Sequence, residues 1–220
     1  MIIDKGNLTV KRVASVVQLS DRKVLEIGCG DGRLSSHLHP LSGEFVAIDP
    51  DRKAIDTARE RYPWINFKLG SGESVRQQDQ CFDVILFTLS LHHQDSLRAL
   101  TVARDTLFPT GQVVVIEPAI DSEVSIVCNV FNDETAELKK AERAIETSNL
   151  RCDLFDILST EWEFADRQEL MNWLFDFYQH PYEQAKVAKV EKILGKKYSD
   201  KPLVLVDTLN LFVLSQSLGE

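Results

Sequence analysis

The chain has 220 residues, of which 44% are hydrophobic and 27% charged, and carries a formal net charge of −9 at pH 7. A chain of this size fills one α/β domain with a sizeable core, and its acidity, with no cluster of Lys and Arg, argues against nucleic acid or an anionic membrane as partner. The cysteines at 29, 81, 128 and 152 include no C-x-x-C pair, so neither a disulfide framework nor a zinc site is expected. The opening MIIDKGNLTVKR lacks the apolar core of a signal peptide, and no run approaches the ~20 apolar residues that cross a bilayer. The reading is a cytoplasmic protein. With no repeat, low-complexity tract or linker, residues 1–220 read as one domain.

In chain order, a helix around Leu8–Leu19 precedes a strand over Lys23–Ile27, which runs into Gly28-Cys29-Gly30-Asp31-Gly32. Glycine at alternate positions lets backbone approach a ligand and adopt positive φ without a Cβ clash. A dinucleotide pyrophosphate and the adenosyl-methionine part of S-adenosylmethionine are both held in this way. The dinucleotide fingerprint is G-x-G-x-x-G, whereas here the third glycine falls at 32 and Arg33 follows. Glu26, two residues before the first glycine, repels a diphosphate and attracts a sulfonium and an ammonium, so the charge favours the second ligand. Cys29 reads as a small packing residue, because nothing beside it in sequence lowers its pKa.

A second strand over Phe45–Asp49 ends in a carboxylate 21 residues after Gly28, placed to accept two ribose hydroxyls from either cofactor or to cap the helix that starts after Pro50. Strands over Asn66–Leu69, Phe82–Phe87 and Gln112–Glu117 follow. Between the last two, Asp95 caps a helix through Leu107 with Leu97, Leu100 and Ala103 at helical spacing, and Pro109-Thr110-Gly111 turns the chain into the fifth strand. This β-α-β alternation predicts a doubly wound, mostly parallel sheet with helices on both faces and ligands at the carboxyl ends of the strands. The "LGSGES" at 69–74 is not a nucleophile elbow, since G-x-S-x-G would need glycine where Leu69 and Glu73 stand.

"EIGCGDG" at 26–32, "VAIDP" at 46–50, "FDVILFTLSLHH" at 82–93 and "LFPTGQVVVIEP" at 107–118 together resemble the class I S-adenosylmethionine-dependent methyltransferases over about the first 118 residues. The resemblance implies the seven-stranded Rossmann-like sheet and S-adenosylmethionine as cofactor. It implies that Gly28, Cys29, Gly30 and Gly32 surround the methionine portion, that Glu26 organises the loop, and that Asp49, followed by Pro50, receives the ribose hydroxyls. Where the family carries an acid against the adenine amino group this chain has Ser71, followed by Gly72 and Glu73, so either Glu73 turns in or the contact is weaker. Thr88 and Leu89 would border the cofactor at the exit of strand four.

His92 and His93 follow that strand and face the cleft by the same resemblance; the Asn/Asp-Pro-Pro-aromatic tetrad of DNA-base and amide methyltransferases is absent, which points to a small-molecule acceptor. Either histidine has an ordinary pKa of about 6.5, suited to removing a proton from an acceptor near neutrality, or serves only to tie down its loop. A metal site is not expected here: adjacent extended residues point opposite ways, and His37, His39 and His180 have no reason to converge. Glu117, with Pro118 and Asp121 beyond it, is the other acid in the cleft.

Residues 119–201 read as a helical cap inserted after strand five. Asp121–Phe131 and Glu134–Ser148 share an apolar stripe of Val124, Phe131, Leu138 and Ile145, broken at Asn132-Asp133. Asp166 and Glu169 form a capping box for Arg167–Tyr178, and a further helix spans Pro181 to Leu194 with Gly195 as its stop. Trp162, Phe164, Trp173 and Tyr178 are candidates for an aromatic wall at the acceptor site, the N-terminal helix is expected to fold across the cofactor, and "PLVLVDTLNLFVLSQ" closes the sheet as one or two strands. The expected function is methyl transfer to a small molecule by a monomer or homodimer; the other readings are an NAD-binding oxidoreductase and a non-catalytic S-adenosylmethionine-binding protein.

Overall fold

The computed structural model describes residues 1–75 and 81–217. Its eight strands are β1 (Ile2–Ile3), β2 (Lys23–Ile27), β3 (Glu44–Asp49), β4 (Asn66–Leu69), β5 (Phe82–Thr88), β6 (Leu107–Pro118), β7 (Leu150–Phe164) and β8 (Leu203–Gln216). They form one sheet in the order β1-β7-β8-β6-β5-β2-β3-β4. The pairs β4·β3, β3·β2, β2·β5 and β5·β6 are parallel, and β8 runs antiparallel to both β6 and β7. Apart from the two-residue β1 at the edge, this is the doubly wound seven-stranded sheet that the sequence predicts.

The strands alternate their side chains between two helix layers. On one face, Val24, Phe45, Ala47, Val84, Leu86, Val114 and Ile116 pack against α1 (Leu8–Val16), α2 (Ser35–Leu38) and α3 (Arg52–Arg61). On the other, Leu25, Ile27, Val46, Ile85, Phe87, Val113 and Val115 pack against α4 (Ser96–Thr106) and α6 (Thr135–Thr147). Because both faces are covered, the central strands are apolar throughout. Chain order reverses at β2, whose neighbours β3 and β5 lead away in opposite directions, and a crevice at the carboxyl ends of the strands follows from that reversal.

The region 119–201 departs from a purely helical cap. Residues 150–164 form the 15-residue β7, paired along its length with β8. The apolar stripe over Val124, Phe131, Leu138 and Ile145 is not one face: the chain breaks after α5 (Glu123–Cys128), Val124 and Phe131 join one cluster, and Ile145 joins the core beneath the sheet. What stands over the carboxyl edge is α5 with α7 (Arg167–Phe177) and α8 (Gln184–Leu194), around Val127, Phe164, Leu170, Leu174 and Val190. Asp166 caps α7, accepting from the amides of Gln168 and Glu169, and Gly195 ends α8 at φ 55°; Glu169, however, accepts from the amide of Ala165 and not from that of Asp166, so the reciprocal half of the expected capping box is displaced by one residue. Helix α1 lies in the core layer with Val10 and Val13, tied to β7 by the Arg12–Asp156 ion pair, and none of its residues lines the crevice at the carboxyl ends of β2 and β3.

Phe164 is fully buried where β7 meets the cap cluster, whereas Phe155 on the same strand is half exposed. Phe164→Ala is therefore expected to cost about 3–5 kcal/mol of unfolding free energy, read by urea denaturation, and Phe155→Ala much less. Equal losses would show that the cap does not form part of the cooperative core.

Candidate active site

Strand β2 delivers the glycine loop to the crevice. Gly28, Gly30 and Gly32 all have positive φ, at 78°, 55° and 82°. At Gly28 the requirement is double, since a Cβ there would lie 2.2 Å from Cβ of Ser90. The Ser90 hydroxyl donates to the Ile27 carbonyl at 2.6 Å, so the exits of β2 and β5 are held in close contact. Beneath the loop Glu26 is fully buried, accepting hydrogen bonds from the hydroxyls of Ser35 and Thr88. Burial pushes its carboxyl above the usual range, against the pull of those two bonds.

Asp49, at the end of β3, accepts from the amide of Gly30 at 2.8 Å and from that of Asp51 at 2.8 Å, one on each oxygen. An ionised carboxylate offers about four acceptor sites, so each oxygen retains capacity for one more donor. Asp49 lines a cavity of about 290 Å³ with Gly28, Gly30, Pro50, Ser71 and Gln94. Gln94 accepts from the Gly72 amide at 3.1 Å and donates to the Ser90 carbonyl at 3.2 Å, which pins the third-strand loop to the exit of β5.

A second cavity, of about 260 Å³, opens beside the first. Trp162, Trp173, Phe177 and Tyr178 form one wall, and Glu134, Asp207, Asn129, Ser125 and Cys128 supply its polar groups. Trp162 meets Trp173 edge to face at 5.1 Å and Trp173 stacks on Phe177 at 4.9 Å. Burial pushes the Cys128 thiol up to about 11, so it stays protonated at neutral pH.

Leu89 and His93 line both cavities. Leu89 has φ 58°, a left-handed conformation rare for a bulky residue, held by its amide donating to the Ile116 carbonyl at 2.8 Å. The following turn, Leu91–His93, is fixed by Glu117 at the end of β6, which accepts from the Leu91 amide at 2.8 Å and pairs with Nδ1 of His92. The other nitrogen of His92 lies 3.7 Å from Glu134. Burial works against charge on His92, but the hydrogen bonds to Glu117 and Glu134 outweigh it and raise its pKa to about 9. His93 is more exposed; burial first, and then the neighbouring charge of His92, lower its pKa. Adjacent imidazoles are thus driven apart, one carrying its proton at neutrality and the other free of it.

His92, His93 and Glu134 place possible ligand atoms within 4.8 Å of one another, which brings together two residues that the sequence analysis expected to diverge. Both nitrogens of His92 face carboxylates, Nδ1 that of Glu117 and Nε2 that of Glu134.

Of the residues singled out from sequence, Gly28, Gly30, Asp49, Pro50, Ser71, Leu89 and His93 line the first cavity. Glu26 and Thr88 lie beneath the loop as its support. The Cys29 side chain sits in the core, its thiol raised by burial, and Gly32 packs beneath the Phe67 ring, where a Cβ would come within 2.8 Å. Glu73 accepts from the Asp95 amide and Gly72 from its own amide reaches Gln94, so neither borders the cavity; Ser71 is the residue that does. Phe164 is core, and Phe177 takes its place in the aromatic wall. Ser90, Gln94, Glu134 and Asp207 were not singled out. Only Asp207 has a sequence signal: it is the one acid in the buried alternation Leu203, Leu205, Asp207, Leu209, Leu211, Val213.

Residues 24–111 match the family described as a methyltransferase domain. The phthiotriol/phenolphthiotriol dimycocerosates methyltransferase 1 of Mycobacterium ulcerans is 34% identical over 121 residues, 52% of this chain and 44% of that protein. The chain spans between about a third and three fifths of the length of the curated relatives it matches. Among solved structures, the YcgJ protein of Bacillus subtilis superposes with a TM-score of 0.65 at 15% identity, covering 96% of this chain and 98% of that one. The [4+2]-cyclase SpnF superposes at 0.61 with 14% identity, covering 96% and 80%. At such identities the likeness shows the fold, and the cyclase shows that the fold alone does not choose the reaction. Residues 24–111 thus match a methyltransferase domain, and the chain shares its fold with solved structures described as S-adenosylmethionine-dependent methyltransferases.

Proposed function

We propose that the chain transfers a methyl group from S-adenosylmethionine to a small-molecule acceptor, with the cofactor in the cavity of Gly28, Gly30 and Asp49 and the acceptor in the aromatic-walled cavity beside it. The observation that carries this reading is that the two cavities meet at Leu89 and His93. A relative named for dimycocerosate acceptors supports an acceptor that is not a polymer. The residues fit the cofactor: Asp49 keeps free acceptor sites for two ribose hydroxyls, and the glycine loop leaves backbone exposed where a Cβ would intrude.

When bound, the cofactor supplies a methyl carbon on a sulfonium; the acceptor's lone pair forms the new bond as the carbon–sulfur bond breaks, and the electron pair stays on sulfur. The protein's share is alignment, exclusion of water and removal of the acceptor's proton. His93 takes that proton, since it is neutral at pH 7 and borders both cavities. His92 already holds a proton at that pH, so its role is to position His93 and Glu134. Thus of the two histidines only His93 acts as base. The cap of α5, α7 and α8 selects the acceptor within a single domain over 1–220. The net charge of −9 and four unpaired cysteines support a cytoplasmic monomer or homodimer without a nucleic-acid partner, and no helix among the described residues is long and apolar enough to cross a membrane.

Asp49→Ala is expected to weaken S-adenosylmethionine binding about 10-fold or more in a folded variant, from the loss of hydrogen bonds to a charged group; unchanged affinity by calorimetry removes Asp49 from the site. Turnover should fall on the acid side of the ordinary imidazole range, where His93, faced by His92, Glu134, Glu117 and Asp49, takes up a proton. His93→Gln is expected to lower turnover and remove this acid limb without changing cofactor affinity. His92 has the opposite sign: its ion pairs stabilise the fold fully below pH 6.5, and that contribution is lost as pH rises through about 9. An acid limb that persists unchanged in His93→Gln contradicts the assignment.

A further inference from the structure

The second cavity holds a buried charge with no counter-charge. Asp207 is 4% exposed. Its two oxygens accept from neutral donors only, the Ser122 hydroxyl at 3.2 Å and the Trp162 indole at 3.0 Å. Among the described residues Asp207 has no ion-pair partner, and Arg33 acts on it only through space. A carboxylate out of water is costly unless a positive group faces it. Two hydrogen bonds fill about half of the acceptor capacity of an ionised carboxylate, so room for further donors remains on the side of the cavity that Asp207 lines.

The remaining walls suit a cation as well. Trp162, Trp173, Phe177 and Tyr178 present ring faces and edges to the same space, and a positive group is attracted to a ring face. Glu134 adds a second carboxylate, and none of the described lining residues is Lys or Arg. Among the described lining residues the only cation is His92, which Glu117 and Glu134 already face. An anionic or neutral acceptor would leave the Asp207 carboxylate without a counter-charge.

Resting on the methyl-transfer reading, we propose that the acceptor is an amine carrying an apolar or aromatic body, which enters the second cavity as its ammonium with Asp207 as counter-charge. The body lies against Trp173 and Phe177, and the ammonium reaches the edge of the cavity that His93 shares with the cofactor site, where its proton can be taken up. This choice of substrate class comes from Asp207 together with the aromatic wall, and not from the glycine loop.

The test is calorimetry on the full chain with S-adenosylhomocysteine first, then with 2-phenylethylamine and its neutral isostere 2-phenylethanol added to the loaded protein. The expected result is binding of S-adenosylhomocysteine, amine affinity at least 10-fold above that of the alcohol, and loss of that preference in Asp207→Asn with the S-adenosylhomocysteine affinity kept. If S-adenosylhomocysteine binds but the alcohol binds as well as the amine, the amine proposal is overturned and the methyl-transfer reading stands. If S-adenosylhomocysteine does not bind, the methyl-transfer reading itself fails. Should Asp207→Asn not fold, the amine-to-alcohol ratio in the unaltered protein decides alone, and Glu134→Gln, which leaves the Ser122 and Trp162 bonds intact, is expected to weaken amine binding by a smaller factor.

Discussion

The carboxylate of Glu117, buried at the end of β6, accepts the amide hydrogen of Leu91 through one oxygen and faces Nδ1 of His92 with the other. Those two contacts fix the turn that leaves β5, and that turn is the partition between the cavities. Removing one partner of a buried charged pair costs about 3–5 kcal/mol, because the other is left in a medium that cannot solvate it. The position of Leu89, the proton on His92 and the orientation of His93 all follow from where Glu117 sits.

A parallel sheet exposes amide and carbonyl groups at its carboxyl edge, and this chain satisfies them in two different ways. At β2 it uses backbone, with glycines that permit positive φ and allow Ser90 to approach. At the exits of β5 and β6 it uses side chains, the Ser90 hydroxyl donating to the Ile27 carbonyl and Glu117 accepting from the Leu91 amide. The first arrangement leaves donors and space for a ligand. The second sets charge: His93 loses proton affinity first through its own burial and then through the charge of His92, which stands between two carboxylates. Leu89 in the left-handed region is the conformational strain that this junction holds.

Much of the first 118 residues was legible in the sequence because the demands there are local. A positive φ calls for glycine, a strand covered on both faces calls for an unbroken apolar run, and a helix start calls for a cap such as Asp95. The later half was less legible. Strand β7 has no clean alternation of hydropathy: Leu154 and Leu158 pack on the core, but Phe155 and Ile157 on the opposite face are apolar too and more than half exposed, so the pairing with β8 is what defines the strand. The stripe from Val124 to Ile145 keeps helical spacing on both sides of Asn132-Asp133, yet the break sends its halves to different clusters, a tertiary fact that spacing does not contain. The histidines were found, but not the division of labour between them, which depends on Glu117 and Glu134 arriving from other elements.

The cap gives the fold its individuality. Helices α5, α7 and α8 share a core with the ends of β7 and β8, so the aromatic-walled cavity is bounded on one side by that cluster and on the other by the exits of the parallel strands. The central claim is that the glycine loop and Asp49 hold a methyl donor. Side-by-side calorimetric titration of the purified protein with S-adenosylmethionine, S-adenosylhomocysteine and NADH tests it most directly. Micromolar binding of the first two and none of NADH is the expected result; binding of NADH alone would contradict the account.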